Sequence, residues 1–472
     1  MVRFGTGGWR AVIGDEFIRS NIELLAKAMC DKMKAEGKTD HGMIIGYDRR
    51  FLSKETMRWC GQVFAAEGIT AYLVNRAAPT PLVMYYVMKH NFPYGMMVTA
   101  SHNPAIYNGI KVFTAGGRDA DKEQTDDIER YAAAIDPSSI KTMEYDEAVK
   151  EGLIREVYPL NEYLDAIIDK INIGKIRDAN LRVALDPMYG VSEIPLKTLL
   201  LTARCDVQTI HDNHDTLFGG KMPAPSERTL RPLISTVMDY PFDIGVATDG
   251  DADRLGVIDD TGRYLTPNNI LVLLYYYLVK FKGWNGPVVR NVSTTHMLDR
   301  IAEKYGQKCY EVPVGFKYIS AKMTEVDAVL GGESSGGLTV RGHINGKDGI
   351  YAAMLLIEMI ATTGRKLSET YEDIEKEFGK IFMEEQSFRF SAQRKEELQK
   401  LLFEDKAVPE LRWEIDHVDY LDGCKVYFKN GGWVSGRFSG TEPLIRIFSE
   451  MPSADEAKEV CGVFRAFLGL DE

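Results

Sequence analysis

Paired cysteines, excess positive charge and long apolar runs are all missing from this chain of 472 residues. Its six cysteines (Cys30, Cys60, Cys205, Cys309, Cys424, Cys461) are scattered, with no CxxC pair and no zinc-ligand spacing. That argues against a disulfide framework and suits a reducing compartment. A formal charge of −12 lacks the basic face that nucleic-acid binding needs. It also requires any anionic ligand to be held by a local cluster of cations, not by the overall field. The longest apolar run, Ile270 to Val279, is far short of a bilayer span. Arg3 and Gly5-Thr6-Gly7-Gly8 stand where a secretory leader needs an apolar core. The expectation is a cytoplasmic protein with neither nucleic acid nor membrane as partner. With 45% apolar and 27% charged residues, the composition is that of an ordinary globular chain, long enough for about three domains.

What is present is a repeated pattern. Met43-Ile44-Ile45-Gly46 reads as a strand running into Tyr47-Asp48-Arg49-Arg50; a helix with Met57, Cys60, Val63 and Phe64 on one face follows, then a strand to Val74. The same succession recurs from Arg182 to Ile210 and from Pro287 to Val312. Strand, helix and strand at these lengths imply parallel pairing in an open α/β sheet. In each copy one more apolar strand follows and ends in a distinctive loop: Thr99-Ala100-Ser101-His102, Thr248 to Arg254, and Gly331-Gly332-Glu333-Ser334-Ser335-Gly336. Ligands of open α/β sheets bind beyond the carboxyl ends of strands, so each copy offers one functional loop from the same topological place. The tail differs. Segments 425–429, 432–437 and 444–448 alternate as antiparallel strands before a helix with the capping box Ser453-Ala454-Asp455-Glu456, which makes a small α+β domain.

Each loop has a chemistry of its own. Ser101 sits where a buried strand opens into the turn Asn103-Pro104, a place for a nucleophile, a phosphoryl acceptor or a plain capping serine. Asp249, Asp251 and Asp253 alternate with Gly250 and Ala252. Carboxylates this close repel unless a cation lies between them, and hard oxygens suit Mg²⁺ or Ca²⁺ over zinc. An EF-hand is the competitor, but position 260 is Asp where the closing Glu should stand. Arg437, Ser439, Gly440 and Thr441, with Arg446 on the next strand, supply the guanidinium, hydroxyls and backbone N–H groups that a phosphate requires. Arg10 is a further candidate anion contact. Glu333 and Ser335 could grip adjacent sugar hydroxyls or satisfy each other.

Taken together, four segments in order resemble the signatures of the α-D-phosphohexomutase family: Thr-Ala-Ser-His-Asn-Pro at 99–104, Asp-Gly-Asp-Ala-Asp-Arg at 249–254, Gly-Glu-Ser-Ser-Gly at 332–336 and Arg-Phe-Ser-Gly-Thr-Glu at 437–442. The resemblance implies three related α/β domains with mixed, mainly parallel sheets and a smaller α+β domain around a central cleft. Their boundaries are expected at 1–150, 151–262, 263–380 and 381–472. It implies that Ser101 is carried as a phosphoserine, that Asp249, Asp251 and Asp253 hold Mg²⁺ with it, and that sugar phosphates turn over through a hexose 1,6-bisphosphate. Arg254, Gly315, Glu333, Ser335, His343 and Lys347 would then contact substrate, and Lys111 or His102 would take the sugar hydroxyl proton with Arg10 nearby. Gly337 stands where the phosphomannomutase/phosphoglucomutase branch of bacteria has His, and His343 to Gly349 is similar to the phosphoglucomutase branch, which favours glucose over mannose or glucosamine phosphates. A metal-dependent serine phosphohydrolase is the alternative from another class.

Overall fold

Three of the four sheets share one strand pattern in the computed structural model, which describes residues 2–5, 7–439 and 444–470. In the first, strand Met43–Tyr47 lies between Ala71–Val74 and Tyr94–Val98, parallel to both, and Tyr107–Thr114 pairs antiparallel with Tyr94–Val98. The second repeats this with Arg182–Asp186, Asp206–Thr209, Ile244–Thr248 and Leu255–Ile258. The third repeats it with Val288–Asn291, Cys309–Val312, Leu330–Gly332 and Leu338–Val340. The mixed, mainly parallel α/β architecture expected from the sequence is therefore present three times. One local device recurs too. At or just past the end of the opening strand stand Asp48, Asp186 and Asn291, each with a side-chain oxygen that accepts the N–H two residues on, at 3.0, 2.8 and 3.0 Å. These Asx turns bend the chain away from the sheet's carboxyl edge.

The first sheet is larger than the repeat. A hairpin of Phe4–Gly5 and Gly8–Val12 joins one edge, and Ile154–Val157 joins the other, parallel to Ala71–Val74. That later strand covers an edge that would otherwise stay open. Likewise Tyr264–Leu265 pairs with Leu255–Ile258, carrying the second sheet past 262.

Helix Gly349–Thr363 is buried along nearly its whole length, Gly349 to Ile360. A helix apolar on all sides belongs inside a core, and its residues share one cluster with side chains from all three α/β units, such as Val83, Leu199 and Leu330. The C-terminal unit has its own core, with Val426, Ile447, Val460 and Phe464. Its sheet is antiparallel throughout, in the order 382–389, 444–451, 433–438, 424–428, 415–419. Among the described residues no helix is long and apolar enough to cross a membrane.

Candidate active site

Ser101 follows strand Tyr94–Val98 at a left-handed φ of 53°, a strained conformation for a non-glycine residue and one that recurs at functional sites. The strain is held from below. Thr99 Oγ1 accepts the Ser101 N–H at 2.8 Å and donates to Asp48 Oδ2 at 2.7 Å. Arg50 donates to the carbonyls of Ser101, Asn103, Pro104 and Tyr107 at 2.6–2.9 Å, fixing the whole loop through one guanidinium. Its Nε stands 3.3 Å from Asp48 Oδ2.

The aspartate loop lies directly against this corner. A Cβ on Gly250 would stand 2.8 Å from the Ser101 carbonyl oxygen, so only glycine allows the two loops to touch there. The contact brings Ser101 Oγ to 2.9 Å from Asp249 Oδ2, to which it donates. Lys111, on strand Tyr107–Thr114, reaches across and donates to Asp251 Oδ2 at 2.7 Å and Asp253 Oδ2 at 2.8 Å. Lys347 Nζ adds a third ion pair at 2.9 Å from Asp253 Oδ2. Residues of three different units therefore meet at one buried point. The loop joins two strands, Ile244–Thr248 and Leu255–Ile258, which excludes the helix-flanked EF-hand.

Whether a cation fits is answered by the oxygens. Asp251 Oδ1 and Asp253 Oδ1 are buried without a hydrogen-bond partner, and ligand atoms of Asp249, Asp251 and Asp253 lie within 4.8 Å of one another. Orphaned buried carboxylate oxygens in such density suit a hard divalent cation. Burial, with Asp251 and Asp253 beside it, pushes the Asp249 carboxyl well above its usual range. Burial would do the same to Asp253, but Lys111, Lys347 and Arg254 overcome it and hold that carboxyl well below its ordinary value.

Both residues expected to accept a proton are shifted away from neutrality. Burial would lower Lys111, but Asp251 and Asp253 raise it on balance, so it is a held cation. Burial first, then Arg254 and Arg10, drives His102 down to about 2, so its ring is neutral; Nδ1 stands 3.4 Å from Ser101 Oγ. Arg10, on the hairpin strand paired with Tyr107–Thr114, donates to Asn103 Oδ1 at 2.8 Å. The Arg254 N–H donates to Asp249 Oδ1 at 3.0 Å, and Arg254 bridges to Gly337 of the third unit.

The remaining candidates divide. Glu333 and Ser335 satisfy each other, Ser335 Oγ donating to Glu333 Oε1 at 2.7 Å. His343, expected to bind substrate, is buried instead. Its Nε2 lies 2.6 Å from Asp348 Oδ2 and its ring packs against Tyr351 at 4.5 Å; the same Asp348 caps helix Gly349–Thr363 and binds the Tyr163 hydroxyl, while His343 Nδ1 is buried without a hydrogen-bond partner. Gly315 opens helix Phe316–Val326. Arg437 Nε donates to Asp422 Oδ2 at 2.8 Å, and the same oxygen accepts the Val314 N–H at 2.8 Å, which sets Arg437 beside the Gly315 turn. Ser439 donates its N–H to the Leu444 carbonyl, and Arg446 stands 3.8 Å from Glu385; Gly440 and Thr441 lie outside the described residues. Sequence reasoning did not find Arg50 or Asp422; each acts through a partner far along the chain, so neither has a local pattern to betray it.

Fold and site together define a phosphotransferase assembled from four units. Comparison with known proteins agrees. The phosphoglucomutase/phosphomannomutase α/β/α domains I, II and III match residues 1–139, 161–262 and 266–378, and the C-terminal domain of the same family matches 392–466. The phosphoglucomutase/phosphomannomutase of Thermococcus kodakarensis is 29% identical over 97% of this chain and 96% of its own length. A Methanocella arvoryzae protein, provisionally named a phosphoglucosamine mutase, is 30% identical over 98% of this chain and 96% of its own. A crystal structure from Thermus thermophilus, provisionally named a phosphomannomutase, superposes with a TM-score of 0.85 at 28% identity, covering 99% of each chain. The chain belongs to the phosphoglucomutase/phosphomannomutase family, the α-D-phosphohexomutases.

Proposed function

We propose that this protein interconverts hexose 1-phosphate and hexose 6-phosphate, with glucose the preferred sugar, and that Ser101 carries the phosphoryl group between turnovers. The observation that supports this reading is the 2.9 Å contact between Ser101 Oγ and Asp249 inside a buried aspartate trio. Phosphoryl transfer asks for positioning and charge neutralisation more than for covalent help. In the forward step the bond from phosphorus to Ser101 Oγ breaks and one to a sugar hydroxyl oxygen forms, giving a hexose 1,6-bisphosphate. A phosphoryl dianion on Ser101 would raise the basicity of the His102 ring, 3.4 Å from Ser101 Oγ, so that it takes the hydroxyl proton, while Lys111 stays a cation beside the reacting charge. The bisphosphate then turns over, and its other phosphate returns to Ser101. Asp249, Asp251 and Asp253 would hold Mg²⁺, which when bound neutralises charge on the phosphoryl oxygens. Glu333 and Ser335 would exchange their mutual bond for sugar hydroxyls, and Arg437, Ser439, Gly440, Thr441 and Arg446 would hold the phosphate that is not reacting.

Assay of glucose, mannose and glucosamine 1-phosphates tests the reading. The expected result is isomer product with the highest kcat/KM on glucose 1-phosphate, and loss of turnover with retained binding in Ser101→Ala. Free phosphate as the main product would favour the serine phosphohydrolase instead; full activity of Ser101→Ala would refute both.

A further inference from the structure

Gly337 ends the sugar loop, opposite Arg254 of the aspartate loop. Its φ is not among the left-handed ones, so conformational freedom is not what glycine supplies here. Space is. A Cβ at this position would stand 2.3 Å from Lys347 Cδ and 2.9 Å from Lys347 Cγ, well inside the contact distance of carbon atoms. The lysine stem crosses directly over the bare Cα and delivers Nζ to 2.9 Å from Asp253 Oδ2. Rerouting the stem is restricted on two sides. The ring of Phe316 lies 5.9 Å from Nζ. The neighbouring Asp348 is fixed by the Ile350 and Tyr351 N–H groups at 2.9 Å, by Tyr163 and by His343.

We propose that Gly337 is a positioning residue: its missing side chain is the slot through which Lys347 reaches the aspartate trio, so the residue at 337 decides whether a second lysine serves the site. Any side chain there would displace the ammonium from the junction of the aspartate and sugar loops, and would itself fill space beside Glu333, whose Oε1 lies 3.4 Å from the Cβ position. What Lys347 meets in a substrate rests on the mutase reading above. Where Lys347 stands does not.

A double-mutant cycle with Gly337→Ala and Lys347→Ala separates the two. Calorimetric titration of the metal-free protein with Mg²⁺ is the first readout, because Lys347 and a divalent cation compete for Asp253. Lys347→Ala should tighten Mg²⁺ roughly tenfold, the size of a one-unit charge interaction. Gly337→Ala should tighten it in the same direction when Lys347 is present, and by under about twofold when it is not. The second readout is KM for glucose 1-phosphate, which Gly337→Ala should raise only in the Lys347 background. Equal effects of Gly337→Ala in both backgrounds, or none in either, overturn the proposal. Should Gly337→Ala fail to fold, recovery of its thermal unfolding transition in the Lys347→Ala background supports the slot, and failure in both backgrounds overturns it. Absence of mutase activity in the natural protein would remove the mutase reading while the Mg²⁺ cycle still decides this one.

Discussion

Thr80 holds Asp251 twice across the boundary between the first two units: its hydroxyl donates to Asp251 Oδ2 at 2.6 Å and its N–H to the Asp251 carbonyl at 2.9 Å. Lys111 uses the same carboxylate oxygen, which leaves Oδ1 as the atom without a partner. Thr80 and Lys111 together hold Oδ2 and leave Oδ1 as the oxygen available to a cation. Thr80→Val keeps the shape and the backbone bond but removes the hydroxyl. It should weaken Mg²⁺ about 10–100-fold in calorimetry, as loss of an outer partner does at metal sites, and cost about 1–3 kcal/mol of stability. Unchanged Mg²⁺ affinity would show that Lys111 alone orients Asp251.

Arg50 is the support beneath the serine loop. It donates to four carbonyls of that loop, and its guanidinium lies 4.9 Å from the Phe218 ring. A lysine keeps the charge but not the planar fork. Arg50→Lys should lose about 1–3 kcal/mol in denaturant unfolding for each buried carbonyl left without a donor. It should also lower kcat more than it raises KM, because Ser101 would relax from its left-handed conformation. A variant with normal stability and kcat would mean that Thr99 suffices to hold the corner.

These supports show where sequence reading ends. The serine and aspartate loops were legible because their chemistry is compressed into six residues each and follows an apolar strand. The threefold repeat was legible because strand and helix periodicities alternate at regular lengths. Strand Ile154–Val157 was not, since a short edge strand after a charged stretch carries little pattern. The burial of His343 was not legible either, because its motif is local while its ring neighbours, Tyr163 and Tyr351, are supplied by other elements. Arg50 sits three residues beyond an obvious strand, yet nothing nearby in sequence tells that its targets lie at 101–107.

Metal binding and stability should be coupled with a reversed sign at Asp249. Without a cation its charge is opposed by burial, Asp251 and Asp253, so holding the ionised form works against the fold. Asp249→Asn keeps an acceptor for Ser101 and should raise the melting temperature of the metal-free protein. Mg²⁺ at 100 times its Kd should stabilise the natural protein by about 2.7 kcal/mol, and Asp249→Asn should lose most of that gain. Thermal unfolding with and without Mg²⁺ in EDTA-treated samples reads both effects. A variant less stable than the natural protein without metal would show that the Ser101–Asp249 bond outweighs the repulsion.

The C-terminal unit is joined to the third by a buried charge cluster centred on Lys425. Its Nζ donates to the Val292 carbonyl at 2.7 Å and to Glu311 Oε2 at 2.8 Å, and lies 3.1 Å from His296 Nε2. Arg290 also pairs with Glu311, Tyr427 donates to its other oxygen, and Glu450 accepts the His296 N–H at 3.0 Å. Burial, then Arg290, lowers Lys425 to about 8, from an ordinary value near 10.5. The sign follows from proton binding: between these two values the unfolded chain binds more protons than the folded one, so this group makes stability rise with pH across that window. Below about 8 both states are protonated and the slope vanishes. The full contribution is on the order of 3 kcal/mol. Lys425→Met should flatten the difference in unfolding free energy between pH 7.5 and pH 10 relative to the natural protein, values chosen to lie on roughly either side of the transition. It should leave Glu311 paired with Arg290 and Tyr427, so the two units stay joined. An unchanged pH slope in Lys425→Met would place the titrating group elsewhere in the interface.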